Sequence, residues 1–95
     1  MNQITADVLQ YVKQCGGSYE DWFVGIASYP DKSLFIGHNV SEKYDSWIYR
    51  SASSNADARE IQHLLLMMGF DGNPKSSDSS GKNIYVYRKA PYTEE

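Results

Sequence analysis

Hydrophobic and polar residues recur along this chain with two different periods, and each period predicts a different kind of element. Apolar residues three and four apart indicate helices. Three helices are predicted, over residues 5–15, 30–36 and 56–68. Runs of aromatic and β-branched residues indicate strands. Three strands are predicted, over residues 22–28, 46–52 and 84–89. The predicted order is therefore helix, strand, short helix, strand, helix, strand.

The helix over 56–68 has the clearest boundaries. It follows the Ser53-Ser54-Asn55 cluster, which is typical of helix N-caps, and Gly69 is suited to its end. Its predicted inward stripe consists of Ala58, Ile61, Leu64, Leu65 and Met68. His63 lies off this stripe and is expected to face solvent. The same face is expected to pack the helix against the sheet.

Alternation within the strands predicts two faces for that sheet. In the third strand Ile84 and Val86 face the core, and Tyr85 and Tyr87 face the opposite side. Alternating helices and strands are typical of parallel sheets, but three short strands also fit a small α+β layer fold. We expect an α+β domain with a small three-stranded, at least partly antiparallel sheet and helices packed on one main face.

Length and composition restrict the broad class of protein. Ninety-five residues fit one domain, 1–95, with a flexible loop over 71–82 and a C-terminal tail over 90–95. The net charge of −3 gives no general attraction for a polyanion. A single cysteine excludes an internal disulfide, and no apolar run is long enough to span a membrane. We expect a cytoplasmic location and no membrane partner.

One stretch resembles a known enzyme superfamily. Phe23-Val24-Gly25-Ile26, then Pro30-Asp31-Lys32-Ser33-Leu34, then His38, is similar to the second signature block of the GIY-YIG nucleases. The later helix Asp57-Ala58-Arg59-Glu60-Ile61-Gln62 resembles the helix that carries the metal-binding glutamate in that family. The resemblance covers roughly residues 22–70. A nuclease-like core would extend over 22–89 if Ile84–Tyr87 replaces the family's first strand, where this chain has a helix.

The resemblance implies a site in which most chemical groups have changed. It gives catalytic positions to Phe23, Lys32, Ser33 and His38, and the metal position to Gln62. Phe23 lacks the family tyrosine's hydroxyl, Ser33 lacks the arginine's charge, and Gln62 offers a neutral amide where Mg²⁺ prefers a carboxylate. The site is therefore expected to be degenerate, with no cofactor, and Mg²⁺ is expected only if the chain is an active nuclease.

The remaining candidates have two readings each. His38 is either a base or ligand, or a polar residue that closes the short helix after Gly37. Tyr49, Tyr85 and Tyr87 either line a binding cleft or pack across neighbouring strands. Arg50 either belongs to a local basic strip or is a solvated residue.

Three functions are consistent with these features. The first is a degenerate GIY-YIG-like domain that is catalytically inactive and acts as a binding or regulatory module. The second is an active metal-dependent endonuclease of the GIY-YIG type. The third is an acidic protein–protein interaction module, for example of phage or mobile-element origin. The partner, a protein or a nucleic acid, is left open by the sequence.

Overall fold

A computed structural model describes residues 3–43, 45–72 and 81–93 of the chain. Its helices are α1 (Gln3–Cys15), α2 (Pro30–Lys32, continued by a π-helical turn over Ser33–Gly37) and α3 (Asn55–Met68). Its strands are β1 (Trp22–Ala27), β2 (Trp47–Ser51) and β3 (Asn83–Arg88), and a short 3-10 turn, Tyr19–Asp21, precedes β1. The interior of the predicted loop 71–82, residues 73–80, and the end of the predicted tail 90–95 lie outside the described residues.

The three strands form an antiparallel sheet in the order β1-β3-β2. The last strand in the chain is thus the central one, and it pairs Tyr87 with Phe23 on one side and with Trp47 on the other. This confirms the expected α+β class and the antiparallel pairing. Both neighbours of β3 are antiparallel to it, so the alternation of helices and strands does not give a parallel sheet here.

One face of the sheet carries an aliphatic core and is covered by the two long helices. The side chains of Trp22, Val24, Ile26, Ile48, Ile84 and Val86 point to this face. Val8 and Val12 of α1, and Ile61 and Leu65 of α3, pack against them. The prediction of one main helix-covered face is confirmed, because both α1 and α3 turn their apolar stripes towards it.

Helix α3 begins and ends where the sequence predicts, but its buried face is rotated. The Ser54 hydroxyl accepts a hydrogen bond from the Asp57 amide at 3.1 Å, and Gly69 ends the helix with φ +117°. Leu64, placed on the inward stripe, is 39% exposed, whereas Gln62 is 2% exposed. At 100° per residue, Leu64 lies about 110° from the centre of the buried face and Gln62 only about 50°. Assigning Leu64 to the inward stripe was wrong.

The opposite face of the sheet is aromatic. Phe23, Tyr85 and Tyr87 are buried on it together with Leu34 from the π-helical turn and Val40 from the segment that follows. The predicted alternation in β3 is confirmed, since Tyr85 and Tyr87 point away from Ile84 and Val86. The aromatic face is covered by α2 and the residues after it rather than by a long helix.

None of the helices among residues 3–43, 45–72 and 81–93 is long and apolar enough to cross a membrane.

Candidate functional site

The π-helical turn at the end of α2 brings His38 onto the aromatic face. The His38 amide donates to the Ser33 carbonyl at 2.8 Å, an i to i−5 bond, and the Val40 amide donates to the Leu34 carbonyl at 2.9 Å. π-helical turns are rare and often lie at functional sites. Gly37 is within this turn, so the histidine follows the helical segment as the sequence predicts.

A second set of contacts fixes the backbone just after His38. Asn39 adopts φ +59°, and its side-chain amide donates to the Tyr92 carbonyl at 3.1 Å. The Tyr92 hydroxyl is hydrogen-bonded to the Asp45 carboxylate. The C-terminal residues around Tyr92 therefore tie down the segment that carries His38.

The imidazole of His38 is hydrogen-bonded at both ring nitrogens. Its Nε2 lies 2.8 Å from the Tyr85 hydroxyl, and its Nδ1 lies 3.2 Å from the Tyr87 hydroxyl. Tyr85 and Tyr87 are two residues apart on β3, so both side chains point to the same face of the sheet. This chain of three hydrogen-bonded side chains is the centre of the candidate site.

Phe23 closes the site from the neighbouring strand. Its ring centroid is 4.9 Å from that of His38 and 5.3 Å from that of Tyr87, with the phenylalanine and tyrosine rings stacked at 29°. These distances are in the range of favourable aromatic contacts. Phe23 thus supplies a packing surface to the site where the resemblance would have a hydroxyl.

Gly25 allows Tyr85 to lie flat against β1. A Cβ atom at position 25 would be 2.3 Å from both Cζ and the hydroxyl oxygen of Tyr85, which pairs with Gly25 across the strands. Tyr85 is only 6% exposed, and burial raises the pKa of its hydroxyl to about 12. The hydroxyl therefore stays protonated at neutral pH. A lone glycine within an aromatic strand is typical of such a close approach, so the position of Gly25 is a sequence signal for this contact.

The aromatic surface continues towards β2. Trp47 and Tyr49 have nearly parallel rings with centroids 6.0 Å apart, and Phe35 meets Trp47 edge-on at 5.0 Å. Tyr49 is 42% exposed, so it offers a ring to solvent or to a partner. Tyr49 is accordingly the accessible member of the three tyrosines selected from the sequence.

Arg50 lies on the other face of the sheet. Its Nε is 3.4 Å from Oδ2 of Asp7 in α1, and its guanidinium also donates to the Tyr49 carbonyl at 2.8 Å. It therefore serves as a partly exposed link between β2 and α1, apart from the aromatic surface.

Lys32 and Ser33 occupy the helical segment that precedes His38. The Lys32 ammonium lies 5.1 Å from the centre of the Tyr29 ring, a cation–π geometry. The Ser33 carbonyl accepts the His38 amide. Ser33 thus stabilises the π-helical turn through its backbone carbonyl.

Gln62 is on α3, outside the aromatic layer. Its side-chain amide donates to the Val24 carbonyl at 3.3 Å. The Val24 amide donates to the Asp71 carbonyl at the edge of β1 that faces away from β3, so the Val24 carbonyl points to that edge as well. Gln62 therefore links α3 to the outer edge of the sheet by a hydrogen bond.

The sequence-derived positions thus separate into groups. Phe23, His38, Tyr85 and Tyr87 share one cluster, and Tyr49 extends its surface. Arg50 and Gln62 lie elsewhere. Within the described part of the chain, no three histidine, cysteine or acidic side chains are grouped as metal ligands are. The cluster itself offers stacking surfaces, phenol hydrogen bonds and one imidazole.

Comparison of the chain with known protein families, with curated proteins and with solved structures gave no match.

Proposed function

We propose that this chain is a degenerate relative of the GIY-YIG nucleases that binds a partner without cutting nucleic acid. The observation that carries the proposal is the cluster of Phe23, His38, Tyr85 and Tyr87. It brings two positions selected by the resemblance together with two tyrosines from the far end of the chain.

The position of β3 supports the relationship. The resemblance leaves the family's first tyrosine-bearing strand without a counterpart before Phe23. In this chain β3 lies directly beside β1, and it pairs Tyr87 with Phe23 and Tyr85 with Gly25. The hydroxyls of Tyr85 and Tyr87, which come later in the sequence, therefore lie on the strand next to Phe23.

The hydrogen bonds at two of the family positions argue against hydrolysis. Phosphodiester cleavage with a metal ion needs an oxygen ligand for the ion and a cation for the phosphate charge. Gln62 is buried and donates to a backbone carbonyl, and Ser33 contributes its own carbonyl to a helical turn. The residues at these two positions stabilise the fold instead.

The test is incubation of the full chain with single-stranded and duplex DNA and RNA, in Mg²⁺ and in Mn²⁺. We expect no cleavage. The matched control is a variant with Lys32, His38 and Glu60 all changed to Ala, which removes the candidate cation, the imidazole and the carboxylate nearest in sequence to Gln62. Cleavage by the parent that disappears in this variant would contradict the proposal and support an active endonuclease, whereas equal cleavage by both would come from a contaminant.

A protein partner is the second candidate, and surface composition favours it. Ile36 on the π-helical turn is 77% exposed, and Tyr29 at the start of α2 is also exposed. The chain's net charge of −3 disfavours general attraction to a polyanion. Exposed apolar and aromatic side chains are typical of protein contacts.

Titration of the ¹⁵N-labelled chain with single-stranded oligonucleotides separates the two partners. Shifts confined to Trp47, Tyr49 and the His38 cluster, reduced in a Tyr49→Ala variant, would identify a nucleic acid partner. An unchanged spectrum at millimolar oligonucleotide would favour a protein partner.

A further inference from the structure

We propose that the cavity at the end of α1 binds a small aromatic carboxylic acid. This cavity lies between the last two turns of α1 and the 3-10 turn that precedes β1, and its volume is about 720 Å³. Pockets for small ligands typically enclose roughly 300–1,000 Å³. Helix α1 covers the aliphatic face of the sheet, so this site is separate from the aromatic cluster and does not depend on the proposed function.

One wall of the cavity is an aromatic ring held in place from behind. The Tyr19 ring is stacked on that of Phe70, with centroids 5.0 Å apart and an interplanar angle of 21°. Phe70 is buried, whereas Tyr19 is 38% exposed and lines the cavity. Leu9 and Val12 of α1 add apolar surface. A flat, apolar ligand can therefore pack against a ring whose orientation is already fixed.

Two consecutive glycines keep the space beside α1 open. Gly16 and Gly17 adopt φ +88° and +92°, a conformation that residues with a side chain rarely adopt. A Cβ atom at position 16 would have no other atom within 4 Å. The chain thus turns from α1 into the 3-10 turn without a side chain that would fill the cavity.

Lys13 gives the cavity its charge. It is the only charged side chain among the described residues that line the cavity, and it makes no ion pair with any of the residues that the structure describes. Two backbone carbonyls at the end of α1 already accept hydrogen bonds. The Val12 carbonyl accepts from the Gly16 amide at 2.8 Å, and the Gly16 carbonyl accepts from the Trp22 indole at 3.3 Å. A carboxylate on the ligand would therefore complement the lysine ammonium.

The neighbouring charges do not cancel that of the lysine. A Cβ atom on Gly17 would lie 3.1 Å from Asp21 Oδ2 and 3.3 Å from Arg88 Nη2, so these two opposite charges flank the same glycine and offset each other. The Asp21 carboxylate also accepts a hydrogen bond from the Ser18 amide at 2.9 Å. Glu20 is exposed and does not line the cavity. The charge that a ligand meets in the cavity is that of the lysine.

The experiment is titration of the ¹⁵N-labelled full chain with naphthoate and with naphthalenemethanol, its neutral analogue of similar shape. We expect both to shift the amide signals of residues 9–19, with naphthoate bound more tightly. An unchanged spectrum at millimolar naphthoate would overturn the proposal. Shifts centred on His38 and Tyr85 would do so as well, because they would place binding on the aromatic face.

Two lysine variants test the role of charge. Lys13 is exposed, so Lys13→Gln should fold normally, weaken naphthoate binding about threefold to fivefold and leave naphthalenemethanol binding unchanged. The matched control is Lys82→Gln, which changes the net charge equally at an exposed lysine outside the cavity and should affect neither ligand. Equal affinities in Lys13→Gln and the parent, or equal losses in the two variants, would contradict the proposal.

A change in the aromatic wall tests the packing separately. Tyr19→Leu removes the ring that is stacked on Phe70 and should weaken both ligands by a similar factor, because both carry the same naphthalene ring. If Tyr19→Leu bound both ligands as the parent does, the ring would not be part of the site and the proposal would fail.

Discussion

The two faces of the sheet are built in different ways. On one face, aliphatic side chains of β1 and β3 meet the regular stripes of α1 and α3. On the other, three aromatic side chains and a histidine are joined by hydrogen bonds and ring contacts under a short, irregular segment. The first face is non-directional packing that tolerates substitutions of similar volume. The second depends on the orientation of individual polar atoms.

The largest expected effect is on the aliphatic face. Leu65 of α3 is completely buried, so Leu65→Ala removes its packing and leaves a cavity. We expect a loss of about 2–5 kcal/mol in the free energy of unfolding, measured by urea denaturation. Leu64→Ala is the matched control on the same helix and should cost less than about 1 kcal/mol. Equal losses at the two positions would mean that the helix face is misassigned.

On the aromatic face, the most disruptive small change is Gly25→Ala. The new methyl group would overlap the Tyr85 ring, which is held by β3 and by His38. We expect a loss of about 3 kcal/mol, the upper end of the range for overpacking. The His38–Tyr85 hydrogen bond should disappear from the NMR spectrum at the same time.

A second substitution checks that the Tyr85 ring is the cause. In a Tyr85→Leu background the added methyl group at position 25 has no phenol to displace, and Gly25→Ala should cost much less. If the cost were the same in both backgrounds, the strain would lie in the backbone of β1 and not in the aromatic layer.

Alkaline pH should weaken the aromatic face through Tyr85. The pKa of Tyr85 is raised by burial from 10.0 to about 12 in the folded chain. Because the pKa of Tyr85 is higher in the folded chain, its contribution to the free energy of unfolding is fully present below pH 10. That contribution is lost as the pH rises towards 12, because the unfolded chain loses the Tyr85 proton first. We expect about 2 kcal/mol to be lost over that interval through Tyr85.

The difference between the parent and Tyr85→Phe isolates this contribution. The pKa of Tyr11 is raised, mainly by burial, and that of Tyr92 is raised by its hydrogen bond to Asp45. These two groups titrate in both proteins and cancel in the difference. If the parent and the variant lost the same unfolding free energy between pH 10 and pH 12, Tyr85 would have to be accessible to water.

The aliphatic face was predicted well from the sequence, because the signals that define it lie within single helices and strands. Apolar spacing, the Ser54 cap and Gly69 give α3 within one residue, and alternation gives the two faces of β3. Leu64 was misjudged because residue polarity was used to assign the buried face, whereas the angular position on the helix decides it. The same rotation buries Gln62, whose side-chain amide donates to the Val24 carbonyl.

The aromatic cluster could be predicted only as a set of separate residues. His38 and the two tyrosines of β3 are 47 and 49 positions apart in the chain, and no periodic pattern connects them. Their meeting depends on the order of the strands, which helix and strand periodicity does not specify. The selection of Tyr85 and Tyr87 as possible cleft residues came from their alternation, and their contact with His38 became visible only in three dimensions.

The central place of β3 has a consequence for how the protein reaches its native state. Among the residues that the structure describes, strands β1 and β2 each pair with β3 and not with each other, although both precede it in the chain. Trp22 must find Arg88, 66 residues away, before the sheet can close. During synthesis the first two strands therefore emerge without their hydrogen-bonding partner, and folding waits for the third. Long-range pairing of this kind slows folding relative to helical proteins of the same size.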